Sequence, residues 1–144
     1  MGKINWPRVI LGGLIAGLVV NIAEFLINGV ILEQDWIAVM NTLGIDMAAL
    51  ESNAGAMVTF LAWGFIYGGI AVWLYAAIRP RYGAGPKTAV CAGVVVWLVG
   101  YLGPMVGYSA MGLWTMRLAL IASALGLVEA VVATVLGAWL YKEA

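Results

Sequence analysis

The sequence predicts an all-α membrane protein with four transmembrane helices in an antiparallel bundle. The first observation is composition: of 144 residues, 65% are hydrophobic and only 10% are charged. A soluble domain carries about a quarter charged residues, so a water-soluble globule of this size would lack polar groups for its surface. The second is that the apolar residues fall into four long stretches, and the third is that nearly all the charges lie between or beyond them.

Each apolar stretch is long enough to cross a bilayer as a helix. A hydrocarbon core of roughly 30 Å needs about 20 apolar residues at 1.5 Å each. We treat residues 1–144 as one transmembrane domain. Its predicted spans are about residues 9–32, 54–78, 88–108 and 118–141.

The charges between the spans predict the orientation. The first loop carries four acids and no Lys or Arg, and only Arg117 adds positive charge on that side. Since cytoplasmic loops are enriched in Lys and Arg, both termini are predicted to be cytoplasmic. We expect an integral protein of the bacterial inner membrane. The cations on the predicted inner side are Lys3, Arg8, Arg79, Arg81, Lys87 and Lys142.

The first outer loop, of about 21 residues, is long for a bundle connection and is predicted to contain a short interfacial helix. Asp35 can cap a helix that runs through Leu43, and Gly44 can end it. Asp46 can cap a second turn. The alternative is that this segment is a lid over an outward-facing cavity.

Pairs of glycines four residues apart predict close packing between helices. Small residues let backbones approach in lipid, where apolar burial alone does not drive association. These contacts can serve one chain or several, and we expect a homo-oligomer. Pro104 is predicted to kink the third span. The predicted packing glycines are Gly13, Gly17, Gly64, Gly68, Gly103, Gly107 and Gly126.

Two acids, Glu24 and Glu129, lie inside predicted spans. An ionisable group near the bilayer centre costs about 2.5–3.5 kcal/mol, so its presence is by default a hypothesis of function. Asn21, Glu24 and Asn28 follow the spacing i, i+3, i+7, which places them on one stripe of the first helix. That stripe is predicted to face the bundle or a subunit interface, where its groups find hydrogen-bond partners.

The depths of the polar side chains predict a single layer. Counted from the cytoplasmic end at 1.5 Å per residue, Glu24 lies about 22 Å up, Glu129 about 18 Å, Tyr67 about 16 Å and Tyr101 about 20 Å. Such a layer can hold a proton shared between carboxyl groups, a cation or a polar substrate. The alternative is that these groups only hydrogen-bond to each other and hold the helices together.

Several classes of chemistry are excluded by composition. The chain has no His and one Cys, so His-ligated metals, Ser-His and Cys-His catalysis and internal disulfides are out. Seven Lys and Arg balance seven Asp and Glu, which argues against nucleic-acid binding. We predict no catalytic residue, no metal site and no cofactor, and therefore a protein that is not an enzyme.

Short motifs near the first span resemble a known family. The pair Asn5-Trp6 precedes that span, and an aromatic and Met segment from Asp35-Trp36 through Met40 to Leu43-Gly44 follows it. The layout is similar to that of an uncharacterised family of small bacterial four-helix membrane proteins. The resemblance implies the four-helix fold and no particular activity.

The leading hypothesis is a proton- or cation-coupled transport or ligand-binding protein. Glu24 and Glu129 would exchange the proton or cation, supported by Asn21, Asn28, Tyr67 and Tyr101. Its partners would be the lipid bilayer and a small polar or cationic solute. The alternative is a structural or accessory subunit of a membrane complex, which would depend on the glycines and not on the carboxyl groups.

Overall fold

A computed structural model describes residues 3–143, and every regular element within that range is helical. Four of the helical runs in this range are long and apolar enough to cross a membrane: Trp6–Ile31, Ala54–Tyr82, Pro86–Ala110 and Met116–Trp139. The predicted all-α class and the four apolar helices are confirmed. The elements are α1 (Trp6–Leu26), α2 (Glu33–Thr42), α3 (Met47–Glu51), α4 (Ala54–Tyr82), α5 (Pro86–Trp97), α6 (Gly103–Ala110) and α7 (Met116–Trp139).

Polar side chains begin three of the spans. The side chains of Asn5, Asn53 and Thr115 each accept a hydrogen bond from a backbone N–H three residues later. Such caps satisfy donors that the first helical turn leaves without partners. The start of each of these helices is therefore encoded locally, independently of the apolar run that follows.

Glycines bring α1 and α4 into backbone contact. A Cβ atom added to Gly68 would lie 2.3 Å from the backbone nitrogen of Gly17, and one added to Gly13 would lie 2.8 Å from the Cα atom of Gly69. Only hydrogen fits in these spaces. Within the chain, the small residues therefore allow the close approach that helix association in lipid requires.

Helix α7 is the most buried span and contacts α1, α4 and α5. It meets α1 at another glycine pair, because a Cβ atom added to Gly12 would lie 2.5 Å from the carbonyl oxygen of Gly137. Since α7 lies at the centre of the bundle, a polar side chain on it is enclosed by protein on several sides. Glu129 is such a side chain.

Two of the spans contain a π-helical turn. Ile27–Ile31 continues α1, and Leu98–Leu102 joins α5 to α6 just before Pro104. The N–H of Gly103 donates to the carbonyl of Leu98, five residues earlier. Proline has no N–H and cannot make the regular helical hydrogen bond. Next to Pro104 the helix widens into this π turn. Single π turns are rare and occur often at functional sites.

The first loop does contain a short helix, but it begins earlier than predicted. Helix α2 starts at Glu33, and Leu32 precedes it without a side-chain cap. Asp35 therefore lies inside the first helical turn and is not the cap; its carboxylate accepts from Nε of Arg117 at 2.9 Å. Gly44, at φ +72°, ends the helix as expected, and the Asp46 side chain accepts from the backbone N–H of Ala48 at 3.0 Å.

Helix α2 is anchored to the bundle by apolar contacts. Its Val39 is buried with Leu32, Met105 and Leu118, so side chains from α2, α6 and α7 form one cluster. The pairing of Asp35 with Arg117 adds a polar contact to α7. The loop helix is consequently fixed over the ends of the spans that contain the two π turns.

Two of the predicted packing glycines do not contact another helix within the chain. A Cβ atom added to Gly107 would meet nothing within 4 Å, and one at Gly103 would meet only the carbonyl of Leu98 from the same span. Both glycines are exposed. Within one chain, Gly103 and Gly107 therefore make no helix–helix contact, because this face of the third span points outward, and packing at these two glycines stays a prediction for contacts between chains.

Candidate functional site

Glu24 and Asn28 form a polar pair that connects α1 to the loop helix. The amide nitrogen of Asn28 donates to a carboxylate oxygen of Glu24. The amide oxygen of Asn28 accepts from Nε1 of Trp36 at 2.9 Å. Asn28 lies in the first π turn, and both the nitrogen and the oxygen of its side-chain amide are hydrogen-bonded, to Glu24 and to Trp36. One acid of the predicted layer is therefore linked through Asn28 to α2.

The pair opens onto a cleft of about 200 Å³. Two tryptophans stand in its wall, with the ring centroids of Trp36 and Trp114 5.3 Å apart in an edge-to-face arrangement. The second π turn and Pro104 form the opposite part of the wall. The residues that line the cleft are Glu24, Asn28, Trp36, Gly100, Tyr101, Pro104, Met105 and Trp114.

Glycines also place the two tyrosines of the predicted layer. A Cβ atom added to Gly126 would lie 2.8 Å from the ring of Tyr101, and one added to Gly100 would lie 2.8 Å from the ring of Tyr67. Each ring therefore lies against a position without a side chain. At Gly126, a predicted packing glycine, the neighbouring group is the aromatic ring of Tyr101.

The side chain of Glu129 is less exposed than that of Glu24. Its side chain is only 5% exposed, and one carboxyl oxygen, Oε2, has no hydrogen-bond partner among residues 3–143. The hydroxyl of Tyr67 is buried and without a partner in the same part of the chain. Glu24, Glu129, Tyr67 and Tyr101 all lie within electrostatic range of one another. The structure thus brings together one side chain from each of the four spans.

Asn21 does not join this group. Its amide nitrogen donates to the carbonyl of Gly17 at 2.9 Å and to that of Leu61 at 3.3 Å, and its side chain lies over Gly64. Asn21 precedes Glu24 by three residues, a rotation of about 300° around the helix axis, which is about 60° short of a full turn. Asn21 therefore points toward α4 and not in the direction of Glu24. The structure places Asn21 and Gly64 in the contact between α1 and α4, away from the cleft.

No basic side chain neutralises the two acids. Within the described range, ion pairs join Arg117 to Asp35 and Arg79 to Glu143, and neither includes Glu24 or Glu129. Over the same residues, no three His, Cys, Asp or Glu side chains are grouped as a metal site would require. The chemistry available at the site is therefore that of two carboxyl groups, two phenols, an amide and an aromatic wall.

Sequence reasoning missed the two tryptophans of the cleft. Trp and Tyr are common at both membrane boundaries, and that ordinary interpretation of Trp36 and Trp114 concealed their place in the wall. The available signal was the short distance along the chain from Asn28 to Trp36. Two helical turns separate an amide from an indole N–H there, and both need partners when they are removed from water.

Comparison of the chain with protein-family models, with curated proteins and with solved structures finds no significant match. The resemblance to the family of small four-helix membrane proteins therefore stays a prediction.

Proposed function

We propose that the chain is a small integral membrane protein that binds a proton or a cation at Glu24 and passes the charge to or from Glu129. The observation that carries this proposal is the difference between the two acids. Glu24 lines an open cleft, whereas Glu129 is buried in the central helix with an oxygen that has no hydrogen-bond partner among the described residues. In this proposal no residue has a catalytic role.

The missing partner of Glu129 argues against a purely structural role for the acids. Hydrogen bonds between membrane helices contribute about 1 kcal/mol each or less. This stabilisation is smaller than the cost of placing an acid inside the membrane. A group that only held helices together would use its oxygens as acceptors. Oε2 of Glu129 is instead free to accept a proton, a water molecule or a cation, which is what a charge-exchanging group requires.

The proposal includes a membrane orientation. Contacts between α1 and α4 run in opposite directions along the two helices: Gly13 meets Gly69, and Asn21 meets Leu61. This order supports an antiparallel arrangement. Together with the excess of Lys and Arg on one side, it supports cytoplasmic termini in a bacterial inner membrane. The cleft would then open toward the outer half of the bilayer, beneath α2.

Proton movement in reconstituted vesicles tests the proposal. We expect an imposed membrane potential to drive acidification or alkalinisation that a pH-sensitive dye trapped in the vesicles reports. Glu24→Gln and Glu129→Gln should each reduce this flux at least tenfold, because an amide keeps the shape of the side chain but cannot take up a proton. Each variant should keep the yield and particle size of the parent.

Glu33→Gln is the matched control, because Glu33 is an exposed acid on α2 that does not line the cleft. Its flux should equal that of the parent. If both membrane-embedded variants transport protons as fast as the Glu33 variant, the exchange of charge at Glu24 and Glu129 is disproved.

A structural or accessory subunit is the second candidate, and two glycines with open space on their Cβ side favour it. Cβ atoms added to Gly69 and Gly107 would meet nothing within 4 Å, so another helix could approach these positions closely. The approaching helix could belong to a second copy or to another subunit. This role requires that Gly107→Leu disrupts assembly and that the two Glu→Gln variants have no effect.

A further inference from the structure

We propose that the cleft is a binding site for a compact organic ammonium ion, with Glu24 as its counter-ion and Trp36 and Trp114 as its wall. This inference rests on the proposed function and names the class of solute. It follows from the charge, the aromatic geometry and the size of the cleft.

The charge of the lining selects cations. Of the eight lining residues, Glu24 is the one that carries a carboxyl group, and no Lys or Arg is among them. The partner of Glu24 is the neutral amide of Asn28. The basic side chain on this side, Arg117, is paired with Asp35. An anion in the cleft would be repelled by the carboxylate of Glu24, with no positive charge nearby to compensate. A cation would itself provide the positive charge that pairs with that carboxylate.

The aromatic wall favours an organic cation over a metal ion. Trp36 and Trp114 meet edge to face, and Tyr108 packs against Trp114 with centroids 4.5 Å apart, which holds the second indole in place. Aromatic faces attract cations most strongly where water is excluded. An alkylated ammonium ion is weakly hydrated and loses little when it packs against such a wall. Na⁺ holds its water tightly and would find few oxygen ligands to replace it.

The remaining lining residues fit a small, partly apolar ligand. Met105 and Pro104 offer apolar contact, and Gly100 leaves space beside the ring of Tyr101. At about 200 Å³ the cleft admits a compact ion and not a large multi-ring drug.

The position of Trp36 depends on two polar contacts. Its indole N–H donates to Asn28, and the helix that carries it is tied to α7 by Asp35 and Arg117. The same amide that holds Trp36 also donates to Glu24. The counter-ion and the aromatic wall are therefore set by one residue, Asn28, and a cation between them would contact both.

Calorimetric titration of the full-length protein in detergent with tetramethylammonium chloride tests the inference, with sodium chloride as the reference salt. We expect saturable binding of tetramethylammonium that sodium does not compete away at equal concentration. Glu24→Gln should weaken binding more than tenfold. Trp36→Leu should weaken it by roughly three- to thirty-fold, which is the range of a cation–π contact, and Trp36→Phe should restore part of the loss.

Trp63→Leu is the matched control, because Trp63 is an exposed tryptophan on α4 that does not line the cleft. Its affinity should match that of the parent. Equal weakening by Trp63→Leu and Trp36→Leu, or equal binding of sodium and tetramethylammonium, would overturn the aromatic site.

The outcomes also separate this inference from the proposed function. If tetramethylammonium does not bind the parent while proton flux still depends on Glu24 and Glu129, the inference fails and the charge-exchange proposal stands. If tetramethylammonium binds with the expected dependence on Glu24 and Trp36 but the Glu→Gln variants leave flux unchanged, the site stands and the proposed coupling to transport fails.

Discussion

Replacing Gly68 by valine is expected to lower the free energy of unfolding by about 3 kcal/mol, the upper part of the range for overpacking a core. A Cβ atom at Gly68 would lie 2.3 Å from the backbone nitrogen of Gly17 and 2.7 Å from its Cα atom. The obstacle is backbone and cannot rotate away as a side chain does. The variant can fold only if α1 and α4 separate, which would also remove the contacts above and below.

Gly69→Val is the control for this prediction, since it places the same side chain one residue further along the same helix. A Cβ atom at Gly69 would meet nothing within 4 Å. Denaturant unfolding in detergent, followed by circular dichroism, measures both variants against the parent. Equal stability of the Gly68 and Gly69 variants would show that α1 and α4 do not meet at Gly17 and Gly68.

Replacing Glu129 by methionine is expected to change stability and function in opposite directions. Methionine has a similar shape and removes a buried carboxyl oxygen that has no hydrogen-bond partner in residues 3–143. A buried unsatisfied polar group costs about 1–3 kcal/mol, so the free energy of unfolding should rise by about that amount. Proton flux in vesicles should fall to the level of empty membranes, because methionine cannot hold a proton.

The comparison variant is Glu129→Gln, which keeps a polar side chain at the buried position. It should lose flux without the gain in stability. A structural role for Glu129 requires the reverse pattern, in which methionine destabilises the bundle by removing a contact between helices. A loss of unfolding free energy in the methionine variant would therefore support the accessory-subunit reading.

Much of the fold could be predicted because the bilayer imposes simple rules. A long apolar run has to be helical in lipid, so the four helices follow from hydropathy alone. The details that were missed depend on backbone geometry that side-chain patterns do not report. Helix α2 begins at Glu33, separated from the π turn by Leu32 alone, and no residue type marks that transition.

The sequence predicted the depth of the site residues in the membrane but not the directions in which their side chains point. Counting residues from the end of each span placed Glu24, Tyr67, Tyr101 and Glu129 at similar depths, and the structure brings them within electrostatic range. Depth carries no information about direction. Rotation about the helix axis takes Asn21 to the contact with α4, and the spacing of one helix could not reveal which neighbour it meets.

The contrast between an open Glu24 and an enclosed Glu129 was also beyond sequence reasoning. It depends on α7 being central to the bundle and on the loop helix bringing Trp36 over the end of α1. Both are properties of how the four spans pack together. They are set by small residues such as Gly100 and Gly126, whose function is visible only once their neighbours are known.

Infrared titration of the lipid-reconstituted protein tests the central claim most directly, because the stretching band of a protonated carboxyl group reports the acids themselves. The account predicts a band that appears and disappears within the physiological pH range and that is lost in Glu24→Gln or Glu129→Gln. A band that stays protonated at every pH at which the protein remains folded would contradict it. The two acids would then be fixed hydrogen-bond donors, and the structural role would replace charge exchange.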